Sequence, residues 1–127
     1  MRSGLLQSRG APVNTPDMFR EQREVWTLFP QTRRIPLPGL TGLPPNLEVP
    51  HRGFVILPRF ADDHPFSPPH IYLQPFLRSR HYYVHDNETF PRLCWCRPEQ
   101  WSPRFRLIVA VTAAMRFLND WHAGLVD

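Results

Sequence analysis

Apolar positions along the chain fall into three legible groups. Met18, Val25, Trp26 and Phe29 recur at helical spacing. Thr15 precedes them as a cap, Pro16 fits the first helical position, and Asp17 and Glu21 favour the positive end of the helix dipole. Pro30 ends the pattern, and the stripe reads as core packing. The second group is Gly53-Phe54-Val55-Ile56-Leu57, a buried strand closed by Pro58. Asp62-Asp63 marks a turn, and His70-Ile71-Tyr72-Leu73-Gln74 forms the next strand. Their short connection predicts antiparallel neighbours. The third group runs from about Pro103 to His122, with Ser102 as cap, Pro103 in the first turn and Gly124 as the stop. Leu107, Ile108, Val111, Met115, Leu118 and Trp121 lie near one face. Val109, Ala110, Ala113, Ala114 and Phe117 carry apolar surface almost all round, which predicts a buried helix or one with a face for a partner.

Between these groups the pattern weakens. Arg33 to Pro50 is rich in Pro. Ile35-Pro36-Leu37-Pro38 and Leu43-Pro44-Pro45 cannot be central strand, because Pro lacks the backbone donor. An edge strand and an open hairpin through Gly39 and Gly42 fit there. Phe76 to Pro91 has no clear period and predicts a polar loop bearing Tyr82-Tyr83. Residues 1–14 are polar, lack periodicity and predict a disordered tail. There are no internal repeats. The order is helix, antiparallel strands, long loop, helix: one α+β domain over residues 15–127.

Composition sharpens this picture. The chain has 127 residues and is 42% hydrophobic, enough for a single core. Its 16 prolines, against a usual share of about 5%, exclude a helix bundle and favour extended segments joined by stiff turns. The formal charge is +4, but all 15 basic residues are Arg and they are spread along the chain, which argues against a nucleic-acid footprint. An Arg-rich surface suits bidentate contact with an acidic protein partner. The two cysteines are one residue apart and cannot readily bridge each other. No signal peptide or membrane-length apolar run is visible, so a reducing cytoplasm is the expectation.

The candidate chemistry lies in Leu93-Cys94-Trp95-Cys96-Arg97-Pro98-Glu99-Gln100-Trp101-Ser102-Pro103. A thiol stands just before a loop that ends in a helix start. Upstream lies the proline-studded turn His64-Pro65-Phe66-Ser67-Pro68-Pro69. The order of this turn, a His/Asn loop, Leu-Cys and Trp-Ser-Pro resembles the ubiquitin-conjugating enzyme family, and most closely its small bacterial members from antiphage operons. The match covers roughly Thr15 to Trp121. The family's aromatic residue before the turn's first Pro is His64 here, and Trp95 stands where a Leu follows the nucleophile. The family's His-Pro-Asn corresponds to His85-Asp86-Asn87, one residue nearer the thiol than expected, with His81 as a competing candidate.

The resemblance implies an antiparallel meander flanked by an N-terminal and a long C-terminal helix. It also implies a thioester formed by Cys94 with the C-terminal carboxyl of a partner protein, in antiphage defence of the CBASS or ubiquitin-like conjugation kind. That partner is a cyclic-oligonucleotide synthase (CD-NTase-like) or a ubiquitin-like protein, and activation falls to a separate enzyme. Acyl carriage needs a partly exposed thiol on a braced loop. Arg92 and Arg97 flank Cys94 with positive charge. His85, Asn87 and backbone amides after Pro91 are the local donors for an oxyanion. Cys96 is the competing nucleophile and falls on the same side as Cys94 if the segment is extended. No cofactor is expected. Two other readings stay open: a non-catalytic binding protein of the same fold, and a small zinc-stabilised adaptor using His81, His85, Cys94 and Cys96. Cys-x-Cys is tighter than the usual zinc spacing.

Overall fold

The computed structural model describes residues 15–39, 43–77, 79–83 and 90–126. The tail expected over 1–14, Gly42, His85 and Asn87 lie outside these residues. The chain order is α1 (Thr15–Leu28), β1 (Arg33–Ile35), β2 (Asn46–His51), β3 (Phe54–Arg59), β4 (His70–Gln74), β5 (Tyr82–Tyr83), β6 (Arg92–Leu93), a 3-10 turn (Pro98–Gln100) and α2 (Leu107–His122). Strands β1 to β4 form one antiparallel meander in sequence order, and β5 and β6 pair separately. The expected α+β class is observed. The expected neighbours β3 and β4 pair antiparallel, from Val55 against Gln74 to Arg59 against His70.

Alternation on the strands and helical spacing on α2 meet in one core. Leu47 and Val49 of β2, Ile56 of β3, and Ile71 and Leu73 of β4 are buried together with Leu107, Ala110, Val111, Ala114 and Leu118 of α2. The α2 residues recur every three or four positions, so a single stripe faces the sheet. Val25 of α1 closes the same cluster. Between β2 and β3 the chain turns through Arg52 and Gly53, both at positive φ (50° and 80°), a two-residue hairpin conformation that Gly adopts without strain. Asn119 of α2 accepts hydrogen bonds from the Arg52 Nε at 2.6 Å and faces the His51 ring at 2.8 Å, which fixes this turn on the helix.

Four details differ from the sequence reading. Pro58 does not close β3; the strand continues to Arg59, with Pro58 opposite Ile71. β2 pairs β3 only as far as Ile56, so Pro58 has a strand on one side and its missing donor leaves no ladder incomplete. Gly53 belongs to the turn rather than the strand. Tyr82-Tyr83, expected in a loop, form a short ladder with Arg92-Leu93. Finally, α2 starts at Leu107, not at Pro103. Ser102 instead closes a tight turn: its carbonyl accepts from Phe105 N–H at 2.9 Å and its hydroxyl from Arg104 N–H at 3.2 Å.

What starts α2 is a residue of α1. The Glu21 carboxylate accepts the Leu107 N–H at 2.8 Å with one oxygen and meets His64 Nε2 at 2.7 Å with the other. Glu21 is 7% exposed and His64 fully buried. Arg106, at the cap position, offers no side-chain cap and forks onto Glu24 instead. The Arg106 guanidinium holds the Glu24 carboxyl below its ordinary value, chiefly by hydrogen bonding. That exposed pair supports the folded state above the carboxylate range, and its contribution fades as pH falls through Glu24's lowered value.

Candidate active site

Cys94 directly follows β6. Leu93 points into the core and is 2% exposed, whereas Cys94 is exposed. Its position is fixed by backbone bonds on both sides. The Cys94 N–H donates to the His81 carbonyl at 2.6 Å, and Trp95 N–H donates to the Leu93 carbonyl at 3.1 Å. The second bond closes a three-residue turn with the thiol residue at its apex. Beyond it, the 3-10 turn is locked by Gln100, whose side chain accepts from Arg97 N–H at 3.0 Å while its own N–H donates to the Arg97 carbonyl at 2.9 Å.

Two indoles brace this loop against the proline turn. Trp95 Nε1–H donates to the Pro69 carbonyl at 2.9 Å, and Trp101 Nε1–H donates to the Pro65 carbonyl at 2.8 Å. The two rings meet edge to face at 5.9 Å, and Trp101 meets Phe105 the same way at 5.5 Å. Trp101 is buried. Prolines leave the turn's carbonyls without a ladder of their own, so these carbonyls are natural acceptors for buried indole donors. The residues singled out in sequence, the turn over 64–69, Cys94, and Trp101-Ser102, are thus brought together. Sequence reasoning missed the anchoring role of Trp95 and the clamp of Glu21 on His64. Glu21 lies at helical spacing between Met18 and Val25, a carboxylate on the core-facing stripe, and that was the available signal.

The exposed thiol opens onto a groove of about 900 Å³, with Ser67, Pro68 and His70 on one wall and Arg80, His81 and Arg92 on another. Cys94 and Cys96 both line it, although the segment turns at Cys94 and is not extended. Their environments differ. Cys96 is half-buried, its Sγ donates to the Arg97 carbonyl at 3.2 Å, and burial with the nearby Glu99 charge pushes its thiol up. A raised thiol holds less thiolate at neutral pH and is the poorer nucleophile. Iodoacetamide at neutral pH should therefore modify Cys94 before Cys96, as read by peptide mapping of the singly labelled protein. Labelling of Cys96 first would contradict this geometry.

His81 borders the groove, and its ring lies edge to face with Phe117 at 5.5 Å. It is the described histidine tied by backbone to Cys94. Its neighbour Tyr82 is no base for the thiol, since burial pushes its phenol up to about 12. The expected oxyanion donors His85 and Asn87 lie outside the described residues. Among the described residues no three His, Cys, Asp or Glu side chains gather as a metal site. No helix among them is long and apolar enough to cross a membrane. No family model, curated protein or solved structure matches the chain.

Proposed function

We propose that this chain is a ubiquitin-conjugating-like acyl carrier that uses Cys94 as its nucleophile. The observation that carries the reading is the convergence around the thiol. Two indole hydrogen bonds, Trp95 to Pro69 and Trp101 to Pro65, seat the loop of Cys94 on the proline turn and leave the thiol exposed above a groove. A nucleophile that must meet two macromolecules in succession needs this combination of access and rigid support.

The chemistry runs in two displacements. The Cys94 thiolate attacks the C-terminal carbonyl of a partner already activated by a separate enzyme. The S–C bond forms and the activating group leaves with the carboxyl oxygen. An acceptor amine then attacks the thioester carbonyl, the S–C bond breaks, and the amine's proton leaves to a base while Cys94 departs as thiolate. The amides of Cys94, Trp95 and Arg97 are engaged within the loop, so the segment bearing His85 and Asn87 is the candidate support for the oxyanion in both steps. The donors proposed are a cyclic-oligonucleotide synthase or a ubiquitin-like protein, in the setting of bacterial antiphage defence.

Cys94→Ser tests the assignment. Alkoxide is a poorer leaving group than thiolate, so the variant should convert a hydroxylamine-labile adduct into a persistent oxyester when co-expressed with the activating enzyme and donor. An adduct unchanged in lability would place the acyl group on another residue.

A further inference from the structure

Leu57 is buried, yet it stands outside the core cluster. Its neighbour Ile56 faces the core, so alternation along β3 turns Leu57 to the other face of the sheet, opposite Tyr72 of β4. There it lines a cavity of about 240 Å³ that shares no residue with the groove of Cys94. Phe76, Phe90 and Pro91 add apolar wall, and Arg59 brings a charge. Phe76 is held edge to face on Tyr82 at 4.9 Å, yet Phe76 and Phe90 both stay more than half exposed (56% and 69%). Among the described residues no carboxylate lines this cavity. The Arg59 Nη1 donates to the Pro58 and Leu47 carbonyls at 2.8 and 3.1 Å, which fixes the guanidinium, and its Nε and Nη2 make no hydrogen bond among the described residues. Glu48 acts on Arg59 from a distance, but that carboxylate is already held by Arg33 at 3.1 Å. Burial pushes the Arg59 guanidinium below its ordinary value by more than the charges of Glu48 and Tyr72 restore. A partly buried cation left under-compensated favours an anion beside it.

We propose that this cavity binds a small arylalkanoic acid, with its ring among Leu57, Phe76 and Phe90 and its carboxylate on Arg59. Size sets the first limit. A cavity of roughly 150 Å³ holds one benzene ring, and pockets for drug-sized ligands begin at roughly 300 Å³. The 240 Å³ here suits one ring with a short side chain. Chemistry sets the second. Two exposed phenylalanines at the mouth favour an aromatic body, which they can meet edge to face. The guanidinium fork matches the paired oxygens of a carboxylate, and Arg59 keeps its charge at neutral pH. Cys94 has no part in this cavity, so binding there is independent of acyl transfer.

The test uses the full chain and three probes with one ring and one chain length: 3-phenylpropanoate, 3-phenylpropanol and 3-phenylpropylamine. Binding is read by ligand-observed NMR titration at neutral pH. The acid should bind about tenfold tighter than the alcohol, the worth of one charge-assisted hydrogen bond, and the amine should not bind. Arg59→Gln should bring the acid down to the level of the alcohol. If that variant does not fold, because Arg59 also holds two backbone carbonyls, Phe90→Ala at an exposed position keeps the test readable. It should weaken acid and alcohol by the same factor, about threefold or more for a lost aromatic contact. Arg116→Gln, on the exposed side of α2, should change neither. Equal binding of acid and alcohol by the wild type, unchanged binding in Phe90→Ala, or a loss in Arg116→Gln equal to that in Arg59→Gln would overturn the proposal. So would tighter binding of the tripeptide Gly-Gly-Phe with a free carboxylate, which would assign the cavity to a chain terminus.

Discussion

Glu21→Ala should lower the stability of the folded protein by about 3–5 kcal/mol, the cost of breaking a buried polar pair by removing one partner. The Glu21 carboxylate is the shared acceptor of two buried donors, the Leu107 N–H that opens α2 and the His64 ring. With alanine both donors are stranded, at roughly 1–3 kcal/mol each, and a small void opens between α1, the proline turn and α2. Among the described residues His64 Nδ1 has no hydrogen-bond partner, so they offer the ring no second bond to fall back on. Glu21→Gln keeps one acceptor oxygen and should cost less than half as much. Urea unfolding of the three proteins checks this ordering. A loss under about 1 kcal/mol for Glu21→Ala, the size of an ordinary exposed contact, would mean that the clamp is not made.

Trp101→Ala should cost a similar amount, about 3–5 kcal/mol for a large-to-small change at a buried aromatic site. Two losses combine. The cavity removes the edge-to-face contacts with Trp95 and Phe105, and the Pro65 carbonyl loses its indole donor. Trp101→Phe separates them: the ring remains, only the hydrogen bond goes, and the cost should fall to roughly 1 kcal/mol. The two variants also test whether stability and chemistry are coupled. If the indole braces the thiol's loop, acyl loading should fall in Trp101→Ala even at temperatures where the variant is folded. Unchanged thermal unfolding of Trp101→Ala would show that the ring is not packed as described.

The fold was legible where periodicity is strong. The α1 stripe through Val25, the β3–β4 pair and the C-terminal end of α2 at Gly124 all follow from spacing and from residues with special backbone preferences. It was illegible where tertiary contacts outrank local signals. Ser102-Pro103 carries a sound local cap signal, yet it forms a turn, and the helix begins four residues past Pro103, where Glu21 from another helix takes the first amide. Pro58 looks like a strand terminator, yet the register leaves it opposite a single neighbour, where a missing donor costs nothing. The β5–β6 ladder is only two residues long, too short for any period to register.

The candidate site divides the same way. Cys94 and Trp101 were marked by their neighbours in the chain. Trp95 drew attention only as an unusual residue beside the thiol, because its partner, the Pro69 carbonyl, lies 26 positions upstream. No periodicity encodes a hydrogen bond across that separation. His64 stands in the proline turn with no local sign of its partner, and it is fully buried against a carboxylate from α1.

Intact mass of the full chain after co-expression with an activating enzyme and a donor protein, before and after hydroxylamine, tests the central claim most directly. Wild type and Cys96→Ala should each carry a donor-sized adduct that hydroxylamine removes, and Cys94→Ala should carry none. An adduct that survives Cys94→Ala and disappears with Cys96→Ala would move the nucleophile two residues along the loop. Tight donor binding with no adduct on either cysteine would contradict the acyl-carrier account outright.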